Sequence, residues 1–136
     1  MSQMLLYKRQ TTVKKQRPVN LALSTIQFPA PAIASILHRI TGVIMLVALV
    51  FLTWALVTSL QSEQQFNWVS SLMDTFLAKF IAWGILTALG YHLLAGLRHL
   101  VMDMGHWEEL QSGKLSAKVA MVLAIVLSVL AGVWLW

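Results

Sequence analysis

The stretch FLAKFIAWGILTALGYHLLAGLRHLV, residues 76–101, is apolar along nearly its whole length and carries a histidine, His92, about two-thirds of the way in. A helix crosses the hydrocarbon core of a bilayer with about 20 mainly apolar residues, so this run reads as a membrane span with His92 inside the hydrocarbon. An ionisable side chain at that depth costs about 2.5 kcal/mol or more unless something compensates it. His92 is therefore the first candidate for a functional residue.

The rest of the chain follows the same plan. Of its 136 residues 58% are apolar and 11% charged, and the apolar ones gather in blocks. Spans are expected at about residues 31–60, 75–102 and 116–136, which makes an all-α integral membrane protein, a bundle of three transmembrane helices. The first two exceed the minimum length and can tilt or project beyond the bilayer. Residues 1–30 are expected to form a cytoplasmic N-terminal tail and surface segment that could dock a soluble partner, and residues 31–136 the transmembrane domain. Pro31 suits the first turn of the first helix. The connection 61–74 is rich in Gln, Ser and Asn with one Trp and reads as a short exposed loop.

Charge sets the orientation. Lys8, Arg9, Lys14, Lys15 and Arg17 precede the first span, whereas residues 61–74 contain no Lys or Arg. Positive charge stays inside, so the N-terminus is expected in the cytoplasm. Three spans then bring the connection 103–115 back to the inner side, flanked by Arg98, Lys114 and Lys118, and leave Trp134 and Trp136 at the opposite interface, where aromatic belts form.

Several function classes drop out. The basic residues flank spans and show none of the aromatic interleaving of a nucleic-acid groove, so no nucleic acid is expected. The chain has no cysteine, which removes disulfides, iron–sulfur ligation, thiolate haem ligation and covalent haem attachment. No phosphate-binding glycine loop and no nucleophile with its base is found, so no catalytic residue is assigned and the chain is not a self-sufficient enzyme.

Polar residues inside the spans carry what chemistry there is. Gly84, Ala88, His92 and Gly96 recur every fourth residue, with His99 and Asp103 continuing the face; small residues at this spacing let a helix or a flat ligand approach the backbone. One reading makes this a packing face with His92 hydrogen-bonded to a neighbour. The other makes His92 an axial ligand of haem iron, with Gly96 clearing space for the porphyrin edge. A rise of 1.5 Å per residue puts His99 roughly 10 Å from His92, the reach from a haem iron to its propionates. In the first span Ser35, His38, Arg39 and Gly42 share a broad face, and His38, Arg39, Arg98 and His99 fall at similar depth. Such a layer suits an anion: haem propionates, or the oxyanion of a quinone under reduction, which favours charge-assisted hydrogen bonds. Arg98 reads better as a snorkelling residue, and His106 as a solvated loop histidine. Ala120, Ala124, Ser128 and Gly132 mark a structural seam on the third helix.

The segments R-P-V-N-L at 17–21, S-I-L-H-R-x-T-G at 35–42 and H-x-x-x-G-x-R-H-L-x-x-D at 92–103 resemble the cytochrome b556 subunits of succinate dehydrogenase, in the expected order and over nearly the whole chain. The resemblance implies half of a heterodimeric membrane anchor of respiratory complex II, with a place in electron transport and the tricarboxylic acid cycle at the bacterial inner (plasma) membrane, and a periplasmic C-terminus. The partners it implies are a second hydrophobic anchor subunit, an iron–sulfur subunit and a flavoprotein subunit. Succinate chemistry would occur in those soluble subunits. Residue by residue, it makes His92 one axial ligand of a haem b shared with the second anchor, Ser35 and Arg39 part of a ubiquinone-binding site, and His38, Arg39 and His99 the propionate neighbourhood.

Three alternatives stay open at this stage. One is a haem-free membrane scaffold. Another is a small permease, disfavoured because the outer half of every span reads as apolar. The third is a haem held within this chain by His38 and His92 together.

Overall fold

A computed structural model describes residues 25–136. The tail expected at residues 1–24, with the R-P-V-N-L segment, lies outside the described residues. Among the described residues four helices follow one another: α1 (Ala30–Ser59), α2 (Glu63–Met73), α3 (Phe76–Asp103) and α4 (Leu110–Leu135). Three of them, α1, α3 and α4, are long and apolar enough to span a membrane.

Local chemistry explains the ends. α1 begins with Pro31 in its first turn, where a missing N–H leaves no bond unmade. At the end of α3 the chain closes in a Schellman motif: Gly105 N donates to the Met102 carbonyl at 2.9 Å and His106 N to the Val101 carbonyl at 3.2 Å, with Gly105 at φ +83. Glycine takes that left-handed conformation without a Cβ clash.

Two boundaries differ from the sequence reading. The connection 61–74 is not an exposed loop but contains α2, whose N-cap Ser62 accepts from Gln65 N at 3.2 Å. The pattern S-x-x-Q at 62–65 with Glu63 in the first turn is a helix-start signature, masked by the polar composition that suggested a loop. The third spanning helix begins at Leu110 rather than near 116, because an apolar count locates the stretch that can sit in hydrocarbon and not the polar first turn beyond it.

α3 is the central helix, packed on α4 along one side and α1 along another, with α2 lying against α1. The buried contact residues recur at seven-residue spacing and are mostly small: Ala34, Thr41 and Ala48 on α1; Ala88 with Ala95 on α3, joined there by the large pair Tyr91 and Arg98; Gly113 with Ala120 and Ala117 with Ala124 on α4. A 3.5-residue period keeps a seam on one line along the helix. In lipid there is no hydrophobic gain from helix contact, so close backbone approach through small side chains supplies the attraction. The bulky Leu, Ile and Val side chains of α1 and α4 accordingly face outward. Ala88, Ala120 and Ala124 from the four-residue stripes are buried, but a Cβ on Gly84 would meet nothing within 4 Å. A strict four-residue repeat drifts about 40° per step around a 3.6-residue helix.

Candidate functional site in the α1–α3 cavity

α1 and α3 run antiparallel, so the start of one lies beside the end of the other. Tyr91 ties them together, its hydroxyl donating to the Ala34 carbonyl at 2.9 Å. On this side of the pair a cavity of about 670 Å³ is lined by Ser35, His38 and Arg39 from α1 and by His92, Gly96, His99 and Asp103 among others from α3. Along α3 it reaches from His92 to Asp103, roughly 16 Å at 1.5 Å per residue. Every residue singled out from sequence as a site candidate, Ser35, His38, Arg39, His92 and His99, therefore lines one space.

The histidines are ordered within it. The His38 and His92 rings stack with centroids 4.1 Å apart and planes 18° from parallel, and the His99 ring lies 5.2 Å from His38, tilted by 46°. Rings stacked face to face do not aim their nitrogens at one shared iron from opposite sides, so this geometry does not support a haem held by His38 and His92 together.

His92 is fixed by its inner nitrogen. Nδ1 lies 3.1 Å from the His38 carbonyl oxygen and 3.1 Å from Thr41 Oγ1. A carbonyl only accepts, so the neutral ring carries its proton on Nδ1 and keeps the lone pair on Nε2. Behind it, a Cβ on Gly42 would fall 3.2 Å from His92 Cε1. Glycine at 42 thus gives the ring the room it occupies. Gly96 plays a looser part, a Cβ there standing 3.5 Å from His38 Nε2, an ordinary contact.

Arg98 departs from the expected layer. It is only 4% exposed and points to the other side of α3, where Nε donates to Ser116 Oγ at 3.0 Å and Nη2 to the Gly113 carbonyl at 3.1 Å. It does not snorkel to the surface; it clamps α3 to the first turns of α4. The apolar reading of the outer half also needs correction, since Trp83 Nε1 donates to the Ser128 carbonyl at 2.9 Å and Thr87 and Ser128 share a hydroxyl bond at 2.8 Å. These groups satisfy one another.

A family model described as "Succinate dehydrogenase/Fumarate reductase transmembrane subunit" matches residues 13–131. The chain belongs to this family. It is 38% identical over 122 residues to a protein of Coxiella burnetii (strain RSA 493 / Nine Mile phase I) named "Succinate dehydrogenase cytochrome b556 subunit", covering 89% of this chain and 98% of that one. A protein of the same name from Paracoccus denitrificans is 37% identical over 114 residues, 84% of this chain and 88% of that one. A "Succinate dehydrogenase cytochrome b560 subunit" of Reclinomonas americana is 30% identical over 120 residues, covering 85% and 83%.

As a member of the succinate dehydrogenase transmembrane-subunit family, this chain is a membrane anchor in an oxidoreductase complex with other subunits. The site residues that sequence reasoning missed are Thr41 and Tyr91. Thr41 stood inside the H-R-x-T-G motif, three positions after His38, and its spacing put it on the same face. Tyr91 had no comparable signal, because one tyrosine beside a histidine does not say which helix its hydroxyl will meet.

Proposed function

We propose that this chain helps hold a haem b and form a ubiquinone reduction site in the membrane anchor of succinate dehydrogenase, through which electrons from succinate reach the quinone pool. The observation that carries this reading is His92, half-buried mid-span with Nδ1–H engaged and Nε2 left as a ligand atom, on the wall of a cavity that also holds cationic groups. Metal-binding histidines characteristically donate their other ring nitrogen to a backbone carbonyl in this way.

The donor set fits the cofactor. His92 Nε2 would be a ligand to haem iron, and a second hydrophobic anchor subunit would supply another. His38, Arg39 and His99 would face the propionates, since Arg39 is a permanent cation and the imidazoles can donate hydrogen bonds. When bound, haem b supplies a one-electron redox centre in the membrane. An iron–sulfur subunit would deliver electrons that a flavoprotein subunit takes from succinate.

Ubiquinone is the substrate at the rim of the same cavity. Its reduction takes two electrons and two protons, and negative charge builds on a carbonyl oxygen as electrons arrive. The Arg39 guanidinium holds that oxygen and the Ser35 hydroxyl donates a second hydrogen bond. Ser35 and Arg39 lie in the second and third turns of α1, close to the end at which the basic tail joins. The positive-inside rule puts that end in the cytoplasm of a bacterium and the C-terminus in the periplasm, with residues 31–136 as the membrane domain and residues 1–30 available to the soluble subunits.

The test is succinate-dependent ubiquinone reduction by membranes carrying Arg39→Leu or Ser35→Ala, with succinate oxidation by an artificial acceptor as the control. Loss of one transition-state donor costs about 10²-fold for the charged group, and a neutral hydrogen bond of about 1 kcal/mol costs several-fold. Ubiquinone turnover should fall accordingly while the artificial-acceptor rate holds. Normal ubiquinone turnover in both variants overturns the assignment of the quinone site.

A further inference from the structure

The anchoring of His92 involves one residue whose part goes beyond packing. Thr41 is 9% exposed, on the buried seam of α1, and its hydroxyl oxygen has three neighbours: the Leu37 carbonyl at 2.9 Å, the His38 carbonyl at 2.9 Å and His92 Nδ1 at 3.1 Å. A hydroxyl has one proton to give. Both carbonyls can only accept, and back-bonding to the carbonyl three or four residues earlier is the usual habit of a helical threonine. With its proton committed there, Oγ1 meets the imidazole as an acceptor.

The consequence falls on the ring. The reverse arrangement, Thr41 donating to a bare Nδ1, would strip the hydroxyl from the α1 carbonyls. It would also set the Nδ1 lone pair 3.1 Å from the lone pairs of the His38 oxygen. In a low-dielectric interior an unmade or reversed bond of this kind is expensive. Oγ1 and the His38 carbonyl therefore act as a two-acceptor clamp on a single N–H, and Gly42 beside them leaves the space in which the ring lies.

We infer that Thr41 is the positioning residue for His92: its hydroxyl, locked by the α1 backbone, fixes the imidazole with the proton on Nδ1 and so presents Nε2 to the metal. This rests on the reading of His92 as an iron ligand. It assigns Thr41 no contact with the haem or the quinone; Thr41 acts through the orientation and tautomer of His92.

The experiment compares the intact complex, purified in mild detergent, from wild type, Thr41→Val and Thr41→Ser. Valine keeps the branched shape and removes the acceptor, whereas serine keeps the acceptor and trims a methyl group. Haem content, the reduced-minus-oxidised spectrum and the rate of haem loss to excess apomyoglobin are measured. Removing an outer hydrogen-bond partner of a metal-bound histidine typically weakens the metal site about 10–100-fold, so T41V should lose haem at least about tenfold faster with a shifted low-spin spectrum, and T41S should match wild type.

Equal haem loss and an unshifted spectrum in T41V overturn the inference, as does a defect that serine fails to rescue, since that would be packing. If T41V does not assemble, Thr41→Ala replaces it, because alanine removes the same acceptor with less bulk at the helix contact. The spectrum should then shift in an assembled complex, and an unshifted one counts against the clamp. A wild-type complex with no b-type absorption overturns the haem reading itself, whereas normal haem in T41V removes only the role of Thr41.

Discussion

α3 has two long contacts, and they treat polar groups in opposite ways. Against α4, the polar side chains close on one another: Arg98 on Ser116 and the Gly113 carbonyl, Trp83 on the Ser128 carbonyl, Thr87 on Ser128. Against α1, Tyr91 and His92 Nδ1 are tied to the partner helix, but Ser35, His38, Arg39 and His99 line an open cavity. No buried side-chain polar atom among the described residues is left without a partner, so the difference is not one of satisfaction. It is one of what remains available. A polar group whose capacity is spent on a neighbouring helix serves the fold, and one left open toward a space is available to a ligand.

Substitutions can separate the two contacts. The largest effect is expected for Arg98→Leu, which removes two charge-assisted hydrogen bonds and leaves their acceptors behind. Losing one partner of a buried charged network costs about 3 kcal/mol or more. The detergent-solubilised complex should melt earlier while the b-type spectrum per assembled complex stays as it was. A shifted spectrum with unchanged stability would mean that Arg98 belongs to the cavity after all. Lysine at 98 should recover only part of the loss, because its ammonium cannot reproduce the two-pronged contact of the guanidinium.

Ser116→Ala takes away one of those acceptors and lets the guanidinium keep the Gly113 carbonyl. About 1.5 kcal/mol of stability is expected to go, read in the same melting experiment. Trp83→Phe is the mildest of the three, since single interhelical hydrogen bonds in membranes average about 0.6 kcal/mol. Its effect should be barely resolved in melting and absent from the spectrum. A Trp83 variant that altered quinone turnover would break the distinction between the two contacts, because Trp83 does not line the α1–α3 cavity.

The same contrast marks what was legible in the sequence. Three apolar blocks gave the three spans, and the rarity of polar residues inside them made Ser35, His38, Arg39, His92 and His99 conspicuous; all five line the cavity. Arg98 reads as snorkelling because it stands near a helix end, within reach of the headgroups. Neighbours in sequence point about 100° apart around a helix, which is enough to send His99 to the cavity and Arg98 to α4. The seams were half read for a similar reason: a four-residue stripe follows the true seven-residue seam for a turn or two and then leaves it, as Gly84 does. α2 was hidden by composition although Ser62 and Gln65 announced it. Thr41 was in plain view, yet its importance depends on the His38 carbonyl lying beside the same nitrogen, a coincidence of two helices that no single stretch of sequence displays.

The central claim is that His92, and not merely the family to which the chain belongs, holds a haem. The direct measurement is the reduced-minus-oxidised visible spectrum of the purified complex from wild type and from His92→Leu, with flavin absorbance recording that the soluble subunits are present. A low-spin b-type signal in wild type, lost or altered in the variant with flavin retained, is the predicted result. An unchanged b-type signal in His92→Leu, or flavin with no b haem in wild type, would contradict it and return the histidine layer to a purely structural role.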